Sequence, residues 1–192
     1  MGLFNRNKNN GANSAGESGQ TEFERDVREL LARDDIQCRQ DICEAEYAKA
    51  QCLLEKPTQE TVRRAYDLMG NLAAQFEYVP AIMWMGDFAE SAMQNLEQAA
   101  FWYKKAADLG DGAGARCYAD MLMFGNGVAR NPRLAMNYYS FAADHGIPEA
   151  AFVMGEFLRN AGDTKTAIKA YQQAYDGGYA PALGRIKQIK GE

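Results

Sequence analysis

Histidine occurs once in this 192-residue chain, tryptophan twice, cysteine four times and proline five times. Each scarcity narrows the chemistry. The lone His145 stands one residue before a glycine that ends a helical pattern. It leaves little for acid–base work, and the sequence around it supports no Ser-His-Asp arrangement. Cys38, Cys43 and Cys52 are spaced by five and nine residues, with Cys117 far downstream, and no CxxC occurs. A structural zinc site wants four tightly spaced Cys or His ligands, so no metal is expected and the cysteines read as reduced thiols of a cytoplasmic protein. No run of about 18 apolar residues occurs, which argues against a membrane span, and the start, MGLFNRNKNNGANSAG, has no apolar stretch of the secretory kind. A basic excess is also missing. The formal charge is −5 and the pI about 5.1, which argues against nucleic acid as partner. No alternation of the strand period lasts beyond a few residues, so β structure is not expected.

What is present is helix. Ala, Leu, Met, Tyr and Glu recur with the 3.6-residue period, and the fold class is all-α. Residues 1–20, rich in Gly, Asn and Ser, read as a disordered tail, because they cannot bury enough surface to offset their ordering entropy. A first helix is expected over 22–33 and a second from Asp34 or Asp35 to Leu54. KPTQE then separates two helices, with Thr58 as N-cap. The charge is uneven: eleven acids against six bases over 21–60, and four against six from residue 151 onward.

The chain also repeats. AAFWYKKAADLG (99–110), AMNYYSFAADHG (135–146) and AIKAYQQAYDGG (167–178) share Ala at the first place, Tyr at the fifth, Ala at the eighth, Asp at the tenth and Gly at the twelfth. Each follows a partner segment that begins with a small residue: AIMWMGDF at Ala81, GARCYADML at Gly114 and AAFVMGEFL at Ala150. Small residues let two helices approach, and large ones fill the seam to the next pair. One pair cannot bury its own apolar face, so pairs stack. The expected organisation is one repeat domain over 21–192. It has clear repeats at 81–113, 114–149 and 150–181, a degenerate pair at about 45–80 and a capping helix at about 181–190.

GDGAGAR (110–116) has glycine at every second place and imitates a phosphate-binding loop. A dinucleotide fingerprint needs a preceding strand inside a βαβ unit, and none precedes it. Gly110, Gly146 and Gly178 each follow an amphipathic helix, where a left-handed residue is favoured, so the stretch reads as a turn between helices and no cofactor is expected. In FGNGVARNP (124–132), Gly125 and Gly127 break the chain, Asn131 caps the next helix and Pro132 takes its first position.

GARCYADMLMFGNGVARNPRLAMNYYSFAADHG resembles the Sel-one-like repeat, a relative of the tetratricopeptide repeat. It supplies Gly125, Gly127, Val128, Ala135, Tyr138, Tyr139, Ala142, Ala143 and Gly146 at the family's places, and departs from it with Tyr118-Ala119 where Leu-Gly is usual. The copy at 81–110 lacks the Gly-x-Gly-Val turn, and the one at 150–178 is closer to a tetratricopeptide unit. The resemblance implies a right-handed α-solenoid without catalysis of its own, acting as an adaptor for proteins or peptides. Some members link the two helices of each repeat by a disulfide; here the cysteines do not recur in register, so that variant is not expected.

In such solenoids the first helix of each pair lines the concave face. The residues two, six, nine and ten places after the small one would face a groove. They are Met83, Asp87, Glu90 and Ser91, then Arg116, Asp120, Met123 and Phe124, then Phe152, Glu156, Arg159 and Asn160. Asp87, Asp120 and Glu156 would form an acidic ladder suited to a peptide with basic and apolar residues. A solvated helix face carries acids too, and the protein's own N-terminal helix is another occupant. Trp102, Tyr103, Tyr138 and Tyr139 sit at repeat-core positions and read as packing rather than base stacking. The function expected is a non-enzymatic scaffold. The alternatives are a hydrolase working through paired carboxylates and an immunity-type protein that neutralises a toxin.

Overall fold

The computed structural model describes residues 36–191. The tail expected over 1–20, the helix expected over 22–33 and the side chain of Cys38 lie outside the described residues. The chain divides into two compact units, residues 1–45 and 46–192, and the three clear helix pairs read from the sequence lie in the second.

Nine helices occur among the described residues, and no strand: α1 (Ile36–Leu54), α2 (Gln59–Gln75), α3 (Val79–Ser91), α4 (Leu96–Asp108), α5 (Gly112–Phe124), α6 (Pro132–Asp144), α7 (Pro148–Asn160), α8 (Thr164–Asp176) and α9 (Pro181–Lys190). Several starts follow from side-chain capping, while α3, α7 and α9 begin with proline in the first turn instead. Thr58 caps α2 in a reciprocal box with Thr61, Asn95 caps α4, Asn131 caps α6 ahead of Pro132, and Asp163 caps α8. Helices α3 and α4, α5 and α6, and α7 and α8 pack as pairs. The pairs join through α4–α5 and α6–α7, with α2 against α3 and α9 against α8. The second unit is an all-α helical-repeat solenoid.

Each clear pair ends on the turn read from the glycines. Gly110, Gly146 and Gly178 have φ of 91°, 83° and 99°, where an L side chain is strained. GDGAG is a turn and a close-packed helix start. Asp111 caps α5, its Oδ1 accepting from the Gly114 amide at 2.6 Å, so the helix N-terminus that an anion would use is already satisfied by the chain itself. A Cβ on Gly114 would lie 2.5 Å from that of Ala106, which explains the glycine by helix approach.

The core is alanine lined with tyrosine. Ala99, Ala106, Ala115, Ala119, Ala135, Ala142, Ala150 and Ala167 are fully buried, and the largest side chains sealed among such residues are Tyr103, Tyr139 and Tyr171. Two of those tyrosines, Tyr103 and Tyr171, lie across a glycine of the partner helix. A Cβ on Gly86 would stand 2.6 Å from the Tyr103 ring, and one on Gly155 2.6 Å from the Tyr171 ring. The middle pair accepts Ala119 at that place. Neighbouring pairs are also tied laterally: Lys105 Nζ donates to the Ala73 carbonyl at 2.9 Å and Gln173 Nε2 to the Ala143 carbonyl at 3.2 Å. At the equivalent place between them stands Phe141, which stacks on His145 instead.

Candidate functional site

The three acids six places after the small residues Ala81, Gly114 and Ala150 of α3, α5 and α7 occupy equivalent positions, as their spacing predicts. They are not a free ladder. Each is a hydrogen-bond acceptor for the buried tyrosine of its own pair. Tyr103 Oη lies 2.7 Å from Asp87 Oδ1, Tyr139 Oη 2.5 Å from Asp120 Oδ1, and Tyr171 Oη 2.7 Å from Glu156 Oε1. The cause is the seam: a glycine or alanine just before the acid lets the ring cross the first helix, and the hydroxyl emerges at its edge, where the next side chain meets it. A buried phenol must find a partner, and a carboxylate is a strong one.

These contacts shift the tyrosines. Burial, and then the hydrogen bonds to Asp87 and Glu90, hold the Tyr103 hydroxyl well above its ordinary range, and burial with Asp120 does the same to Tyr139. Tyr171 is pushed up to about 12 by burial and by Glu156. Burial opposes ionisation of Glu156, but the Tyr171 hydroxyl and the guanidinium groups of Arg159 and Arg185 outweigh it and hold that carboxyl below its usual range. A general acid needs the opposite shift, so Glu156 does not fit that part of a hydrolytic pair.

The pairs differ in what surrounds the acid. Asp120 holds Arg116 of its own helix at 2.9 Å. Glu156 holds Arg159 at 2.9 Å and Arg185 of α9 at 2.8 Å. In the first pair, the place of Arg159 is taken by Glu90, whose Oε2 is 2.9 Å from the Tyr103 hydroxyl that Asp87 also engages. A phenol has one proton to donate. Two carboxylates therefore converge on one donor, and both are exposed. No base among the described residues forms an ion pair with either. The first and second pairs are electrostatically continuous: the half-buried Cys117 thiol, pushed up to about 11 mainly by burial, also feels Arg116, Asp120, Asp87 and Glu90.

The remaining expected groove residues divide. Met83, Met123 and Phe152 are partly buried against the core, and Phe152 sits between the rings of Tyr171 and Tyr179, with centroids 5.4 and 5.0 Å away. Phe124 is 69% exposed. Ser91 turns back to the Asp87 carbonyl, and Asn160 is exposed. The aromatic positions are packed as expected: Tyr103 and Tyr139 are buried, Tyr138 meets Tyr118 edge-on, and Trp102 is half-buried beside Lys105. Among the described residues no group of three or more His, Cys, Asp or Glu could hold a metal ion, and no helix is long and apolar enough to cross a membrane. Cys43, Cys52 and Cys117 are free thiols.

Residues 80–111 and 117–147 match the Sel1 repeat family. A curated relative, an uncharacterised protein of Neisseria meningitidis serogroup B, is 28% identical over 118 residues, which is 59% of this chain; the matched part spans about a quarter (25%) of that protein. Among solved structures, a protective antigen present in uropathogenic Escherichia coli strains, with an SLR fold, superposes with a TM-score of 0.67 at 21% identity, over 77% of this chain and 33% of that one. A Sel1 repeat protein from Oxalobacter formigenes superposes with a TM-score of 0.65 at 21% identity, over 78% and 64%. At these identities the likeness is one of fold. It agrees with the paired-helix architecture of a helical-repeat solenoid.

Proposed function

Because the chain is a Sel1-like repeat protein, we propose that it is a non-enzymatic scaffold that holds a protein or peptide segment along the face carried by α3, α5 and α7, and that Asp87 and Glu90 receive a basic side chain of that partner. The observation that carries this reading is the contrast among the three pairs. The acid–tyrosine contact of the second is neutralised by Arg116, and that of the third by Arg159 and Arg185. The first has two carboxylates on one hydroxyl. A guanidinium or ammonium from outside would supply the missing charge and donors there, and would gain a charge-assisted contact without displacing an internal partner. Phe124, exposed at the end of α5, offers apolar area to the same kind of ligand.

Selection from a randomised peptide display library tests it. The parent is expected to enrich Arg or Lys at one fixed place. Glu90→Gln, which keeps the Asp87–Tyr103 contact, is expected to lose that enrichment. The same peptides enriched by both, or no basic preference in the parent, would exclude the proposed contact.

A further inference from the structure

The acid of each pair has a matching place on the helix that follows the pair. Three residues after Gly114, Ala150 and Ala182 stand Cys117 in α5, Val153 in α7 and Arg185 in α9. In the third pair this place carries the charge partner: Arg185 Nε lies 2.8 Å from Glu156 Oε1, the oxygen that also receives the Tyr171 hydroxyl. Toward the first pair the same place carries Cys117. Its half-buried thiol is within electrostatic reach of Asp87, Glu90 and the Tyr103 hydroxyl. The first pair thus has the acid and the phenol of the third, but a short uncharged side chain where the third has a guanidinium. Arg116, the base beside Cys117 in sequence, is committed elsewhere: Nη1 is 2.9 Å from Asp120 Oδ2, and Nη2 donates to the Cys117 sulfur at 3.5 Å.

We infer that the basic group received by Asp87 and Glu90 is an arginine of the partner, bound as Arg185 binds Glu156, and that Cys117 is the residue that leaves this place open to it. The assignment rests on the reading of Asp87 and Glu90 proposed above, and goes beyond it in naming the side chain and the position that decides access. The acceptors favour a guanidinium. Asp87 and Glu90 share the single Tyr103 proton, so the donors still wanted are spread over two carboxylates. A planar fork of N–H groups reaches both, whereas an ammonium is a compact point charge. The surroundings act in the same direction. Beside a half-buried thiol, a weakly hydrated guanidinium gives up water more readily than a lysine head group does. The occupied pairs follow this rule: Asp120 and Glu156 are met by Arg116, Arg159 and Arg185, while Lys49, Lys104 and Lys105 pair with Glu46, Asp108 and Glu77.

Side-chain carboxyl carbon shifts of Asp87, Glu90 and Glu156 test it, with the full chain titrated by N-acetyl-arginine amide and, separately, by N-acetyl-lysine amide at equal ionic strength. In the parent, Asp87 and Glu90 are expected to respond to the arginine probe at a concentration lower by about threefold or more, while Glu156, already paired, stays silent. Cys117→Arg is expected to abolish the response, because the chain then supplies the guanidinium itself. Cys117→Val, which places there the residue type of α7, is expected to keep it. Arg185→Ala leaves the first pair untouched and is expected to make Glu156 respond to the arginine probe. Equal response to the two probes overturns the choice of arginine but leaves the basic contact standing. An unchanged response in Cys117→Arg, or a silent Glu156 in Arg185→Ala, overturns the equivalence of positions 117 and 185. No response of Asp87 and Glu90 to either probe in the parent removes the contact itself, and with it the proposed reading of these two acids.

Discussion

The Tyr171 hydroxyl donates to Glu156 at 2.7 Å across a helix pair in which Gly155, the residue before that acid, has the ring of the same tyrosine lying over it. The contact joins a packing requirement to a polar one. The ring fits because position 155 has no side chain, and the fit delivers the hydroxyl to position 156.

Removing the hydroxyl leaves the ring in place. Tyr171→Phe is expected to lower unfolding stability by about 1.5–3 kcal/mol, as for a hydrogen bond to a charged group. Tyr139→Phe is expected to behave alike. Urea denaturation measures both, and a cost near zero would mean that water replaces the phenol without loss.

Filling the seam is expected to cost more. Gly155→Ala drives a methyl group into the Tyr171 ring, and Ala142→Leu adds bulk where the alanine is fully buried. Each is expected to destabilise by about 1–3 kcal/mol. Ala119→Gly introduces no such clash and is expected to cost the helix penalty of glycine, about 0.5–1 kcal/mol, and a similar amount, about 0.8 kcal/mol, for the buried methyl it removes. Midpoints in the opposite order would show that the ring crossing does not limit the approach of the helices.

The pH profile has two edges of known sign. Tyr103, Tyr139 and Tyr171 have raised pKa values in the fold, so the unfolded chain loses these protons first. Their contribution is complete below the unfolded value of 10.0 and is lost as pH rises from there through the folded values. Glu156 is depressed, so its contribution is present above the unfolded 4.5 and is lost as pH falls through its folded value. Thermal melts from pH 3 to 11.5 check this. Tyr171→Phe is expected to soften both edges, because it removes a titrating phenol and one support of Glu156.

Thiol labelling should rank the cysteines. Cys52 is exposed, whereas burial raises both Cys43 and Cys117. Iodoacetamide at pH 8 is expected to modify Cys52 ahead of Cys43, and Cys117 only after unfolding. Native Cys117 reacting as fast as Cys52 would mean that the face between the first two pairs opens readily.

Much of this architecture is legible in the sequence because it rests on local rules. Glycine after a helix marks the turns at 110, 146 and 178, Thr58 and Asn131 mark helix starts, and small residues at fixed places mark the seams. The role of the acids was not legible in the same way. Asp87, Asp120 and Glu156 recur at an interval that a solvated face would also produce, and the direction of a tyrosine hydroxyl is settled only when two helices cross. A signal was present nonetheless. Every copy with the acid also has a tyrosine at the fifth place of its second repeated segment, and a glycine or alanine just before the acid. Met83, Met123 and Phe152 differ from the expected groove lining for another reason: they pack against the core, and such burial is settled only when the helices assemble.

The acid–tyrosine contact is made within a pair, never between pairs. A whole pair therefore carries both halves of its own latch. Duplicating or deleting one during descent leaves no phenol without an acceptor, whereas a breakpoint between the two helices strands one half. Genes for such arrays are thereby free to change length in whole units, and the latch itself selects where recombination is tolerated.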